Sequence, residues 1–68
     1  MAIIPLATAD RLIRKAGAKR VSDEAAKALV EVLEEEAMRI ASEAVRLAAH
    51  AKRRTVREED IRLATKRV

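Results

Sequence analysis

Apolar residues recur at helical spacing along this chain, and short polar breaks cut the pattern into three segments. Leu6, Ala9, Ile13 and Ala16 share one helical face. Pro5 stands just ahead of them, where a first turn tolerates its missing N–H. Ile4 before it is biased toward extended backbone. Gly17 suits a left-handed C-cap, so the pattern predicts a first helix over roughly 5–16. Ser22 is the expected N-cap of a second helix, and Asp23 and Glu24 fall in its first turn, where the helix dipole favours acids. From there Ala26, Leu29, Leu33, Ile40, Ala44 and Leu47 form one stripe, unbroken until the basic run near Lys52. Such a helix is about 40 Å long at ~1.5 Å per residue, and a compact globule of this chain length is only about 25 Å wide. The stripe needs more neighbours than the chain supplies, and the natural supply is a second copy. Thr55 and Glu58 have the spacing of a capping box ahead of a third helix. Val56, Ile61, Ala64 and Val68 give that helix its apolar face, and Lys66 and Arg67 suit its C-terminal end.

Composition narrows the possibilities. Sixty-eight residues, without repeat or linker, make a single domain over 1–68. A core of this size is marginal, so disulfides, metal or association usually assist it. There is no cysteine and only one histidine, which removes disulfides and His or thiolate metal clusters. Association remains. Fifteen Lys+Arg stand against eleven Asp+Glu, the pI is near 10.1, and the favoured partner is a polyanion. No apolar window is long enough to span a bilayer. The opening Met-Ala-Ile-Ile-Pro lacks the charged-then-apolar layout of a signal peptide, so a cytoplasmic protein is expected. The absence of aromatics argues against base-stacking single-strand binders and suits duplex backbone instead. Two serines and a lone histidine form no catalytic constellation, so no enzyme, cofactor or metal site is expected. The consecutive Glu34, Glu35 and Glu36 point in different directions around the helix and read as a solvated acidic band.

The candidate chemistry lies in two basic junctions, Lys19-Arg20-Val21-Ser22 and His50-Ala51-Lys52-Arg53-Arg54-Thr55-Val56, which flank the long helix. Lys19, Lys52 and Arg54 carry charge on flexible stems and suit phosphate contacts. The N–H groups that open the second and third helices add to such a grip. Arg11 and Lys15, four apart on one face, make a second basic patch with Arg14. An ordinary solvated helix face is the competing reading for Arg14 and Lys15.

Several fragments, in this order, resemble the histone fold, and within it the archaeal histones. They are Ile4-Pro5-Leu6-Ala7, Arg11 to Ala18, Arg20-Val21-Ser22, Leu33-Glu34-Glu35, Ile40 to Ala44, His50 to Val56 and Glu59-Asp60-Ile61. The resemblance covers essentially the whole chain. It implies an all-α fold of short, long and short helices without tails, clasped as an intertwined head-to-tail dimer. It also implies that each dimer sets the first junction of one chain beside the second junction of the other. The function implied is wrapping, bending and compaction of double-stranded DNA with little sequence specificity, in a protein associated with the chromosome. In the eukaryotic relatives, arginines enter the minor groove wherever it faces inward. Arg20 takes that place here, and Thr55 of the partner chain positions it. Arg11 matches a further DNA contact. Arg53 pairs with Asp60, while Leu47, His50 and Asp60 fall at the contact between dimers.

Homodimers, heterodimers with a paralogous histone, and higher oligomers on DNA all fit the resemblance. A dimerisation subunit of a transcription-regulatory complex is the alternative. A membrane-surface helix is disfavoured by the acidic mid-section and the lack of interfacial aromatics. The chain departs from the family at two positions. Glu36 replaces an apolar residue near the helix crossing. It must therefore reach solvent, find a cation such as Arg39, or weaken the dimer, since an unpaired buried carboxylate is costly. Lys52 stands where archaeal members more often place glycine, and a left-handed backbone there would cost on the order of 1 kcal/mol.

Overall fold

The computed structural model describes residues 2–67 and contains three helices, α1 (Leu6–Lys15), α2 (Asp23–His50) and α3 (Glu58–Arg67). The architecture is all-α, short–long–short, with no strand among the described residues. Val68, expected on the apolar face of α3, lies outside them. The chain forms two compact units, residues 1–35 and 36–68, and α2 contributes its first half to one and its second half to the other.

In the first unit, Pro5 is the N-cap of α1, with ψ 142°, and is not its first helical residue. Its carbonyl accepts the Thr8 N–H at 3.1 Å. At the other end Gly17 adopts φ +122°. The Gly17 N–H then reaches the Arg14 carbonyl at 3.0 Å, and the Ala18 N–H reaches that of Ile13 at 3.3 Å. This is the paired closure that favours glycine just past a helix end. Ser22 caps α2 as expected, its Oγ accepting the Ala25 N–H at 3.1 Å. Ala9, Ala26 and Val30 are buried, with Ile4, Val21 and Leu29 packed against them. Glu34 corrects the reading of a solvated acidic band. It is half-buried and accepts the backbone N–H groups of Ile3 and of Ile4, the latter at 2.7 Å. One carboxylate thus satisfies two donors that no helix can satisfy, and anchors the N-terminal segment.

The second unit begins in mid-helix. Glu36 is exposed and ion-paired with Arg39, one turn along α2, so the carboxylate is not buried unpaired. The end of α2 repeats the closure seen at Gly17. The Lys52 N–H reaches the Ala49 carbonyl and the Arg53 N–H that of Ala48, both at 2.9 Å. Here the left-handed residue is a lysine, at φ +61°. The third helix begins at Glu58, and Thr55 is not its cap. The Thr55 hydroxyl makes no hydrogen bond among the described residues. The cap is supplied from inside the helix: Asp60 reaches back and accepts the Arg57 N–H at 2.8 Å. A charged acceptor outcompetes a neutral hydroxyl for that donor. Val56 accordingly lies before α3, not on its face. Ala44 and Ala48 of α2 and Ala64 of α3 are buried.

The buried apolar residues are five alanines and one valine, whereas Leu6, Leu12, Val32, Met38, Val45, Ile61 and Leu63 stay more than a third exposed. Leu6 also borders an open cleft of about 450 Å³ with Val30 on its floor. Small side chains let helices of one chain approach closely, but they remove little area from water. Most of the hydrophobic surface able to stabilise this fold is still uncovered within the single chain.

Candidate nucleic-acid interface

The first junction is built by the two caps that bracket it. The glycine closure of α1 turns the chain away from the helix axis, and Ser22 starts α2 only a few residues later. Arg14 spans the gap. Its Nε donates to Asp10 Oδ2 at 2.9 Å and its Nη1 to the Lys19 carbonyl at 3.2 Å. An arginine expected to face DNA is therefore engaged in bracing the loop. Lys19 and Arg20 are exposed, and neither side chain meets an acid among the described residues. Arg11 and Lys15 are likewise exposed and unpaired on α1.

The second junction is held by one ion pair. Arg53 Nη1 meets Asp60 Oδ2 at 2.9 Å and Nη2 meets Oδ1 at 2.8 Å, a bidentate fork that also donates to the Thr55 carbonyl at 2.9 Å. Asp60 is buried and Arg53 half-buried, so the pair differs from an exposed ion pair of little value. The Arg53 hydrogen bonds, aided by the Arg57 N–H, lower the Asp60 carboxyl from its ordinary 3.8 to about 2. Asp60 in turn raises the Arg53 guanidinium. Lys52, Arg54 and Thr55 project from this loop, exposed. His50 is exposed at the end of α2 with Leu47 half-buried one turn before it, while Asp60 is committed within its own chain.

This pair sets an acid limit. A depressed folded-state pKa contributes stability that is present above the unfolded value and is lost as pH falls through the folded one. Urea midpoints are expected to decline from about pH 3.8 toward about pH 2 as Asp60 takes up a proton. Part of that decline is expected to vanish in Asp60→Asn, which starts from a lower plateau. An unchanged acid limb in that variant would exclude Asp60 as the titrating group. Glu36 and Glu43, lowered by hydrogen bonds from Arg39 and Arg46, act in the same direction.

Charge pairing sorts the cations. Arg14, Arg39, Arg46, Arg53, Arg62 and Arg67 each face an acid of this chain. Lys19, Arg20, Lys52 and Arg54, the loop cations that the sequence singled out, face none among the described residues. Arg57 adds an exposed cation beside the second junction that sequence reasoning did not select. Its signal was three-residue spacing from Arg54. Among the described residues no cluster of His, Cys, Asp or Glu could hold a metal ion, and no helix is long and apolar enough to cross a membrane.

Comparison with known proteins gives concordant matches. Residues 2–65 match the family described as histone-like transcription factor (CBF/NF-Y) and archaeal histone. The chain is 59% identical to the archaeal histone HAN1 of Thermococcus zilligii over 66 residues, covering 97% of this chain and 98% of that one. It is 52% identical to probable archaeal histone 3 of Methanocaldococcus jannaschii over 64 residues, 94% and 96% of the two chains.

Proposed function

This chain belongs to the family of histone-like transcription factors and archaeal histones, and from that premise we propose that it packages double-stranded DNA as a pair of chains. The observation that carries this reading is the sorting of charge. Helix-flank arginines are neutralised by neighbouring acids, while both junctions keep cations that nothing in the chain neutralises. Free cations on short, capped loops suit a regular polyanion and specify no base sequence.

In a head-to-tail pair, Lys19 and Arg20 of one chain stand near Lys52, Arg54 and Thr55 of the other. Arg20 enters the minor groove, and the Thr55 hydroxyl, which no backbone donor of its own chain uses, orients it. Lys19, Lys52 and Arg54 take phosphates, and Arg11 and Lys15 extend the track. Leu47 and His50, with Asp60 beside them, form the contact through which pairs join on DNA. The uncovered Leu6, Val32, Met38 and Val45 supply surface for the partner, a second copy or a paralogue. The protein works on the chromosome, in the cytoplasm, without cofactor, metal or catalysis.

Nuclease digestion of the protein–DNA complex tests this reading. A ladder of regular spacing is expected, and uniform degradation at saturating protein would oppose packaging. Arg14 separates bracing from contact. If it braces the loop, Arg14→Lys, which keeps the charge but not the fork, lowers DNA affinity about as much as Arg14→Gln. Neither variant then changes the salt slope by the ~0.9 of a lost phosphate contact. Full rescue by lysine would make Arg14 a direct contact.

A further inference from the structure

We propose that Lys52 sets the exchange between the stability of this chain and its grip on DNA. The starting observation is an outlier. Lys52 holds φ +61°, a conformation that side chains other than glycine's rarely adopt. The strain is fixed by the helix closure, since the Lys52 and Arg53 N–H groups both bond back to α2 at 2.9 Å. No relaxation of the lysine is possible without losing those bonds.

The chain contains its own control. At the end of α1 the same paired closure uses Gly17, at φ +122°. Where geometry alone matters, glycine is present. At the end of α2 a lysine occupies the equivalent place, and nothing inside the chain compensates for it. Its side chain is exposed and makes no ion pair or hydrogen bond among the described residues. The adjacent Arg53, which could have supplied charge to this loop, is bound to Asp60 and to the Thr55 carbonyl. Lys52 and Arg54 are therefore the cations this loop can offer outward. Strain that persists without an internal partner points to an external one. The partner that fits is a phosphate of the duplex, so this inference rests on the DNA-packaging reading and refines it.

The substitutions Lys52→Gly, Lys52→Ala and Lys52→Arg separate the two effects. Glycine removes strain and charge, alanine keeps the strain and removes the charge, and arginine keeps both. Urea unfolding at one fixed protein concentration is expected to show the unfolding constant of the glycine variant lowered roughly threefold to tenfold per chain. Alanine and arginine variants are expected near the parent. Duplex binding is expected to weaken about fivefold in the glycine and alanine variants alike, with a log–log salt slope shallower by about 0.9 for each copy in contact. The arginine variant keeps the parent slope.

Two results overturn the proposal while leaving DNA packaging intact. One is a glycine variant no more stable than the parent, as when the lysine pairs with an acid of a second copy. The other is parental salt dependence in the glycine and alanine variants. If the parent chain itself binds duplex without salt dependence, the packaging reading fails first and this inference with it.

Discussion

Arg20→Ala is expected to weaken binding to every duplex by a similar factor, on the order of tenfold or more, whatever the base sequence. The reason lies in how the first junction is made. Gly17 and Ser22 close and open the flanking helices within a few residues, so Arg20 has little backbone freedom left to lose on binding. Its guanidinium is exposed and faces no acid, so no internal ion pair must be broken first. A planar, weakly hydrated cation is also the form best suited to a narrow minor groove. Arg20→Lys keeps the charge without that shape and is expected to fall between the parent and the alanine variant. Competition binding at one salt concentration, with duplexes of unrelated sequence, checks this. A loss confined to one sequence would mean that Arg20 reads bases, and no loss would remove it from the interface.

The largest effect on stability is expected from Ala64→Leu. Ala64 of α3 is fully buried, as is Ala44 of α2, and Ala48 nearly so. In the second unit α2 is the helix available to cover α3, so the seam is made of methyl groups. Three added carbons have nowhere to go without separating the helices. Overpacking of this kind typically costs about 1–3 kcal/mol. The total stability of a small domain is only about 5 kcal/mol. Thermal and urea unfolding are expected to show a large loss, whereas Lys66→Leu, at an exposed position two residues on, stays within about 0.5 kcal/mol. Equal effects of the two substitutions would mean that the seam is not closely packed.

The parts of this fold that were legible in the sequence are those set by neighbours a few residues away. The Ser22 cap, the Gly17 closure and the unbroken length of α2 each follow from local chemistry. The start of α3 does not. Thr55 and Asp60 both have the residue type to cap a helix, and the choice between them depends on Arg53, which fixes the Asp60 carboxylate from seven residues away. Glu34 was opaque for the same reason. Nothing in three consecutive glutamates tells which one meets the backbone of Ile3 and Ile4, some thirty residues distant. Arg14 looked like any cation of a basic face, because its acceptor is the Lys19 carbonyl and a carbonyl carries no sequence signal. The apolar stripes were read correctly as positions, but Leu6 and Ile61 remain largely uncovered. A stripe specifies which side of a helix avoids water and leaves open which chain covers it.

The central claim is that cations left unpaired at the two junctions hold a phosphate backbone. The dependence of duplex affinity on salt tests it most directly. Equilibrium binding between about 50 and 200 mM salt is expected to give a straight log–log line falling by about 0.9 per neutralised phosphate. Its slope is expected to become shallower stepwise as Lys19, Arg20, Lys52 and Arg54 are replaced one at a time by alanine. Affinity that stays level across that range, or a slope those four replacements leave untouched, would contradict the account.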